Sequence, residues 1–181
     1  MSTVNIVKNK AVFLDRDGVL NRAIVRNGKP YAPASLAEVE ILPDVFKALK
    51  ILKEAGFVLI VVSNQPDVAR GMASKESVEA INSYLATNLP IDRFIMCFED
   101  GDESEYRKPK PGMLLAGAKE FDVDLKASFM IGDRWRDVDA GIAAGCSTIF
   151  IDYEYSERRP DSYDYKAESL LEAANIINQL L

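Results

Sequence analysis

Short apolar runs alternate with longer stretches of helical period along this chain. Runs of four or five residues rich in Val, Ile and Phe have the length of buried strands, and apolar positions three or four residues apart indicate helices. The pattern predicts strands over 11–14, 58–62, 94–97, 128–131 and 148–151, and helices over 44–55, 74–88, 111–121, 135–144 and 166–180. Such alternation predicts an α/β fold, a three-layer, Rossmann-like parallel sheet with helices on both faces.

The unusual polar residues fall where the predicted strands end. Asp15, Ser63 and Asp133 each follow directly on an apolar strand. Ligands of parallel sheets bind just beyond the carboxyl ends of the strands. We therefore expect these three side chains to lie at the ligand-binding edge of the sheet.

Composition and charge restrict the partners. A chain of 181 residues that is 48% apolar can bury one core, so we predict a single domain over residues 1–181. The formal charge of −6 argues against a nucleic-acid partner. Residues 1–10 lack the apolar core of a secretory signal, and the longest apolar stretch, 56–62, is far shorter than a membrane span of about 20 residues. We expect a cytoplasmic protein without a membrane partner, and nothing requires more than a monomer.

The chain contains no histidine. This excludes Ser-His-Asp and Cys-His catalysis and every metal site that needs an imidazole. The two cysteines, Cys97 and Cys146, form no CxxC motif, and we interpret them as reduced thiols. Chemistry here must use carboxylates, hydroxyls, lysine, arginine and a hard cation bound by oxygen.

The segment 15–21, Asp-Arg-Asp-Gly-Val-Leu-Asn, is the most informative one. Asp15 and Asp17 lie two residues apart, so on an extended segment their carboxylates would point to the same side. Like charges this close repel unless a cation separates them, and an oxygen-rich site suits Mg²⁺. Gly18 permits a tight turn near a phosphate. The same residues also suit a plain turn after a strand.

Three other segments carry candidate chemistry. Ser63-Asn64-Gln65 can donate hydrogen bonds to phosphate oxygens, although it also fits a turn. Segment 107–112, Arg-Lys-Pro-Lys-Pro-Gly, places cations beside a predicted helix start, which suits an anion or a solvated basic loop. In segment 132–137, Gly-Asp-Arg-Trp-Arg-Asp, the first aspartate could bind the cation or cap the helix. The second could orient a metal-bound water or brace the loop.

Taken in order along the chain, these four motifs resemble those of the haloacid dehalogenase superfamily of phosphatases. The resemblance covers nearly the whole chain, and the neighbouring residues are similar to those of D,D-heptose 1,7-bisphosphate phosphatases and related histidinol-phosphate phosphatases. It implies the fold of that superfamily.

The resemblance also implies roles for individual residues. Asp15 would attack phosphorus and form an aspartyl-phosphate, and Asp17 would act as general acid and then base. Ser63 and Lys108 would bind the transferring phosphoryl group. The residues that would contact the substrate are Asn64, Gln65, Arg107 and Arg134. Asp15, Asp17 through its backbone carbonyl, and Asp133 would bind Mg²⁺.

The chain departs from this pattern in two places. Relatives bind a structural zinc through a Cys-x-His and a Cys-x-Cys pair, whereas the matching positions here are Cys97-Phe98-Glu99 and Ser104-Glu105-Tyr106, so we expect no zinc. We expect a short acidic loop over 100–105 instead. Segment 22–43 is too short for a cap domain, which predicts an open site shaped by loops. Its residues Arg26 and Tyr31 could reach a substrate or be ordinary loop residues.

The resemblance implies a small phosphorylated metabolite as substrate, with D-glycero-D-manno-heptose 1,7-bisphosphate, hydrolysed at its 7-phosphate, as first choice. Histidinol phosphate or another small phosphomonoester is the alternative. Phosphatases of this superfamily without a cap can also act on DNA 3′ ends or on phosphoproteins, but the acidic chain argues against DNA. A scaffold without activity predicts broken motifs, and these four motifs are unbroken.

Overall fold

A six-stranded sheet forms the centre of the protein, whose structure, a computed structural model, describes residues 8–181. The strands are β1 (Lys10–Leu14), β2 (Ile24–Arg26), β3 (Lys29–Tyr31), β4 (Phe57–Asn64), β5 (Arg93–Cys97), β6 (Phe129–Gly132), β7 (Ser147–Ile151) and β8 (Tyr165–Ala167). The helices are α1 (Val45–Glu54), α2 (Lys75–Asn88), α3 (Gly112–Glu120), α4 (Trp135–Ala144) and α5 (Leu170–Gln179), with 3₁₀ turns at Leu36–Glu38 and Leu125–Ala127.

The sheet has the strand order β5-β4-β1-β6-β7-β8, and all of its neighbouring strands are parallel. Side chains of β1 alternate between two cores: Val12 and Leu14 pack in one, and Ala11 and Phe13 in the other. The first core includes buried residues of α1, α2 and α5, and the second includes residues of α3 and α4. The predicted three-layer α/β architecture is therefore confirmed.

The end of the chain differs from the prediction. We expected one helix over 166–180, but Tyr165–Ala167 forms strand β8 beside β7, and the helix begins at Leu170. The side chain of Ser169 accepts a hydrogen bond from the backbone N–H of Glu172, which starts the helix there. The apolar spacing suits both structures over so short a segment, and pairing with the open edge of β7 decides between them.

Strands β2 and β3 form an antiparallel hairpin within the segment that we predicted to be loops. Asn27 and Gly28 both have positive φ, of 51° and 71°, as the favoured two-residue hairpin turn requires. Residues 15–44 are the longest excursion from the three layers in the described chain, and they contain this hairpin and one 3₁₀ turn. The expectation that there is no cap domain agrees with this arrangement.

Three further predictions concern a membrane span, a secretory signal and the number of domains. Within residues 8–181, no helix is long and apolar enough to cross a membrane. Residues 1–7, most of the segment where a secretory signal was sought, lie outside the described residues. The single domain over 1–181 stays a prediction.

Candidate active site

The carboxyl ends of three adjacent strands meet at one cavity. Strand β1 lies between β4 and β6, which brings Asp15, Ser63 and Asp133 to the same edge of the sheet. The cavity beside them has a volume of about 270 Å³ and a mainly charged and polar lining. Four other parts of the chain complete it: they contribute Lys29 and Tyr31, Gln65 and Arg70, Arg107 and Lys108, and Arg134, Arg136 and Asp137.

Three buried carboxylates form a cluster at this edge. One oxygen each from Asp15, Asp133 and Asp137 lies within 4.8 Å of the others. Within the described part of the chain, this is the only group of three or more acidic or thiol side chains with such spacing. The Oδ1 atom of Asp133 is buried and has no hydrogen-bond partner among residues 8–181. An unpaired buried carboxylate oxygen inside an all-oxygen cluster fits a hard divalent cation such as Mg²⁺.

The cluster changes the protonation equilibria of its members. Burial, followed by the charge of Asp137, raises the pKa of Asp15 to about 6, although Lys108 acts in the opposite direction. Burial and then the charges of Asp15 and Asp137 raise the pKa of Asp133 well above its usual range. Both shifts express the free-energy cost of several anions in one poorly hydrated place, which a bound cation would offset.

Lys108 is the cation that the cluster already contains. Its side chain is 2% exposed, and Nζ donates to Oδ1 of Asp15 at 2.8 Å, to Oδ1 of Asp137 at 2.6 Å and to the carbonyl of Val62 at 2.7 Å. Burial lowers the pKa of Lys108, but the charges of Asp137 and then Asp15 raise it above its ordinary value. The ammonium group therefore stays charged and sits beside the predicted nucleophile.

Asn64 fixes the backbone of this lysine. Its Oδ1 accepts the N–H of Lys108 at 3.0 Å, and its Nδ2 donates to the carbonyl of Lys108, also at 3.0 Å. We expected Asn64 to contact the substrate. Asn64 lines the cavity, so this contact stays a prediction, and its amide also bonds to the backbone of the lysine loop, which supports a positioning role.

Asp137 connects Lys108 to the loop after β6. One of its oxygens accepts the lysine, and Oδ2 accepts the backbone N–H of Arg134 at 3.0 Å. A Cβ atom on Gly132 would lie 2.1 Å from the Cβ of Asp137, so only glycine permits this approach. Of the two roles that the sequence left open for Asp137, bracing the loop is the one that these contacts show.

Position 18 also requires glycine, because the backbone there passes close to the side chain of Asp133. The φ of Gly18 is +91°, and a Cβ atom there would lie 2.0 Å from Oδ2 of Asp133. The backbone of the loop after β1 thus approaches the Asp133 carboxylate closely. This contact brings the first and the last of the four motifs together.

Asp17 lies in a separate hydrogen-bond network beside the cavity. Buried Arg16 donates from Nε and Nη2 to its two oxygens at 3.1 Å each, and Asn21 and Gln65 donate at 2.9 and 2.8 Å. Asp17 lines the same cavity as Asp15, and after burial and the charge of Asp137, its charge also contributes to the raised pKa of Asp15, as expected for two carboxylates within reach of one ligand. The segment is not extended throughout, because Leu20 N–H donates to the carbonyl of Arg16. The carboxylate of Asp17 is not a member of the acidic cluster.

Ser63 lies between this network and the cluster. The residue is 1% exposed, and its Oγ accepts Nε2 of Gln65 at 2.9 Å. The same nitrogen of Gln65 also donates to Asp17. Gln65 therefore connects the predicted acid–base residue to the predicted phosphate-binding hydroxyl, and both residues line the cavity.

The two arginines predicted to bind the substrate have different partners within the protein. Arg107 lines the cavity, and its Nη1 donates to the carbonyl of Glu99 at 3.0 Å. Its Nη2 lies 3.4 Å from Oδ1 of Asp100, and its Nε lies 3.8 Å from Oδ1 of Asp102. Arg134 also lines the cavity, but its guanidinium pairs with Glu157. Both guanidinium groups are therefore paired with acidic side chains of the surrounding loops.

Other lining residues include Lys29 and Arg136, which the sequence did not single out, and Tyr31, for which it left a substrate contact open. Lys29 and Tyr31 reach the cavity from the hairpin, whereas the guanidinium of Arg26 lies over the Tyr31 ring at 5.7 Å. Arg136 also lines the cavity, and burial followed by the charges of Arg107 and Arg134 lowers its pKa. The Asn27-Gly28 turn signal could have located the hairpin, but no sequence signal separated Arg136 from an ordinary helix residue.

Polar contacts connect the acidic loop over 100–105 to neighbouring parts of the chain. Arg70 donates to both oxygens of Asp100 at 2.8 and 2.6 Å, and Lys110 pairs with Glu105 at 3.0 Å. Cys97 is a free buried thiol, 3.9 Å from the Ser104 hydroxyl. These two residues occupy positions where the motif comparison expected zinc ligands, and a hydroxyl is a poor match for the thiolates that a tetrahedral zinc site needs.

Sequence comparisons show which known proteins this chain resembles. The family model for haloacid dehalogenase-like hydrolases matches residues 21–145. D-glycero-D-manno-heptose-1,7-bisphosphate 7-phosphatase of Chlorobaculum tepidum is 36% identical, over 82% of this chain and 81% of that protein. D-glycero-alpha-D-manno-heptose-1,7-bisphosphate 7-phosphatase of Burkholderia mallei is 34% identical, over 80% of each chain.

A solved structure gives the same result. The D,D-heptose 1,7-bisphosphate phosphatase from B. bronchiseptica, complexed with magnesium and phosphate, superposes with a TM-score of 0.82 at 28% identity. The match covers 95% of this chain and 99% of that one. The similarity therefore extends over the sheet, both helical layers and the cavity.

The contacts of Asp137 generate a prediction. Replacing Asp137 by Asn removes the charge that pairs with Lys108 while keeping the size of the side chain, so we expect phosphatase kcat to fall about 10- to 100-fold, as for other groups that orient active-site residues. Asp139→Asn is the matched control. Asp139 lies two residues after Asp137 in α4, and among the described residues its ion pair is with Arg158, at 3.5 Å. Steady-state kinetics of both variants, with thermal unfolding as a check, tests this. Equal rates in the two variants would contradict the assignment.

Proposed function

We propose that this chain, which belongs to the haloacid dehalogenase-like hydrolases, is a magnesium-dependent phosphatase with Asp15 as its nucleophile. The family predicted from the four motifs is confirmed by these relatives, which are phosphatases by name. The observation that carries the proposal is the buried contact of Lys108 with Asp15 inside an acidic cluster at the ligand-binding edge of the sheet.

These positions support the following first step. Oδ1 of Asp15 accepts the Lys108 ammonium, which leaves the other oxygen to bond to phosphorus. As that bond forms, the bond from phosphorus to the ester oxygen breaks, and Asp17 supplies the proton that the leaving oxygen needs. Lys108 neutralises charge on the phosphoryl group, and the Ser63 hydroxyl donates to one of its oxygens.

The second step releases inorganic phosphate. Asp17 takes a proton from water as the water oxygen bonds to phosphorus and the bond to Asp15 breaks. Arg16 and Gln65 orient the Asp17 carboxylate through the hydrogen bonds described above. Asn64 contributes by fixing Lys108, as its two hydrogen bonds to that backbone indicate.

The site also fits the metal that the family uses. Asp15 and Asp133 through their carboxylates, and Asp17 through its backbone carbonyl, would bind Mg²⁺. The unpaired Oδ1 of Asp133 and the three clustered carboxylates support this donor set. When bound, the cation supplies charge neutralisation for the phosphate and for the carboxylates around it.

D-glycero-D-manno-heptose 1,7-bisphosphate is the proposed substrate, with loss of its 7-phosphate. The names of the Burkholderia mallei and Chlorobaculum tepidum relatives support this choice. A bisphosphate carries a charge of about −3 to −4 at neutral pH, and Lys29, Arg107 and Arg136 line the cavity around the reacting group. Arg107, which lines the cavity, is the proposed contact to the sugar phosphate, and Arg134 contributes positive charge near its pair with Glu157. A cytoplasmic monomer without a nucleic-acid or membrane partner stays a prediction.

A panel of phosphate esters tests the substrate and the nucleophile together. With Mg²⁺ present, we expect the highest kcat/KM for one anomer of the heptose bisphosphate, and lower values for histidinol phosphate and a DNA 3′-phosphate. Asp15→Asn should show no turnover of any ester, because an amide cannot form the phosphoenzyme, while its thermal midpoint shows that it folds. Faster turnover of histidinol phosphate would contradict the substrate, and turnover by the variant would contradict the nucleophile.

The neighbouring lysines 108 and 110 offer a matched pair. We expect Lys108→Ala to lower kcat by about 10²- to 10³-fold, since it removes a charge aimed at the transferring group. Lys110→Ala should stay within about threefold of the parent protein, because Lys110 is 38% exposed and pairs with Glu105. Initial rates at saturating Mg²⁺ give both values, and thermal unfolding separates loss of fold from loss of chemistry. The opposite order of effects would mean that the lysine at 110 is the catalytic one.

Metal dependence provides a further prediction. Protein treated with EDTA should lose phosphatase activity and regain it with Mg²⁺, because three clustered carboxylates need a cation. Elemental analysis of the purified protein should find far less than one zinc per chain, since Cys97 and Ser104 do not make a thiolate pair. Stoichiometric zinc would contradict this, and activity without any divalent cation would contradict the magnesium assignment.

A further inference from the structure

The segment that follows β7 reaches the metal-binding edge through two tyrosines. Tyr155 donates its hydroxyl to Oδ2 of Asp133 at 2.9 Å, and Tyr153 donates its hydroxyl to the carbonyl of Gly18 at 3.0 Å. The two rings pack on each other with centroids 5.6 Å apart. Neither residue belongs to the four motifs, and both lie outside the residues matched by the family model.

The two oxygens of Asp133 are in different environments. Oδ2 has Tyr155 as its hydrogen-bond partner and lies against the bare backbone of Gly18. Oδ1 is buried and has no partner within the described chain. Tyr155 is thus the one hydrogen-bond donor that residues 8–181 offer this carboxylate, and it engages the oxygen that faces away from the unpaired one.

The segment that carries Tyr155 is itself well anchored. Its Asp152 pairs with Lys166 at 3.0 Å, and the backbone N–H of Ser156 donates to the carbonyl of Gly28 at 2.8 Å in the hairpin turn. Glu157 pairs with Arg134. These contacts on both sides of Tyr155 fix the position of its hydroxyl relative to the sheet, so the tyrosine can restrict rotation of the Asp133 carboxylate.

We propose that Tyr155 is a positioning residue that orients Asp133, with Oδ2 hydrogen-bonded and Oδ1 directed to Mg²⁺, and so sets the affinity of the site for the metal. This inference rests on the assignment of Asp133 to the metal site under the proposed function. Outer hydrogen-bond partners of metal-binding side chains fix ligand orientation, and their loss typically costs about 10- to 100-fold in affinity. A phenol does this without adding a second cation beside Lys108.

Tyr155→Phe tests the proposal, with Tyr153→Phe as the matched control. Each variant loses one hydroxyl from the same stacked pair, but only the first loses the bond to Asp133. Metal-free protein is titrated with Mn²⁺ by electron paramagnetic resonance and with Mg²⁺ by calorimetry. We expect Kd to rise about tenfold or more in Tyr155→Phe and to change less than about twofold in Tyr153→Phe.

Kinetics and thermal unfolding complete the test. The Mg²⁺ concentration for half-maximal activity should rise in Tyr155→Phe, while kcat at saturating Mg²⁺ returns to within about threefold of the parent value. Without metal, the thermal midpoints of both variants should match that of the parent, and the stabilisation on adding Mg²⁺ should be smaller for Tyr155→Phe. Unchanged metal affinity in Tyr155→Phe, or an equal loss in both variants, would overturn the proposal.

Asp133→Asn separates this inference from the proposed function. If the parent protein binds the metal, Asp133→Asn does not, and Tyr155→Phe binds like the parent, only the inference about Tyr155 fails. If Asp133→Asn binds Mn²⁺ as tightly as the parent, the metal site itself is wrong and the proposed function fails with it.

Discussion

The buried contact between one ammonium group and two carboxylates is the constraint on which the active site depends. Lys108 reaches both Asp15 and Asp137, while a third carboxylate, Asp133, lies within 4.8 Å of both. One positive charge does not balance three buried negative ones, so the arrangement needs a second cation and gains from an anionic phosphate bound beside it. The chemistry of phosphoryl transfer and the stability of this cluster therefore depend on the same charges.

The rest of the fold brings these charges together. The parallel sheet places Asp15 and Asp133 at the ends of adjacent strands, while loops bring in the groups that neutralise or orient them. Glycine at 18 and 132 allows those loops to approach within distances that any side chain would prevent. Beyond the four motifs, Tyr155 adds a hydrogen bond from a fifth segment, so the acidic cluster depends on chain regions that share no local sequence signal.

Much of the fold could be predicted because it depends on periodicity. Every strand expected from an apolar run is present, since such runs bury on both faces of a parallel sheet. The short strand 165–167 overlaps the helix predicted over 166–180, because three residues cannot distinguish a period of 2 from one of 3.6. The hairpin over 24–31 was missed although Asn27-Gly28 is a known hairpin turn signal, since Pro30 and the flanking charges weaken its strand pattern.

By itself, the sequence determined the type of chemistry: a chain with no histidine and with aspartates at strand ends must use carboxylates, a lysine and an oxygen-bound cation. Only the tertiary structure decided which groups work together. The partners of Lys108 lie 93 and 29 residues away along the chain, and Tyr155 lies 22 residues from Asp133. Residue type is local information, whereas hydrogen-bond partnership follows from how loops pack, as in the bonds from Gln65 to Asp17 and Ser63.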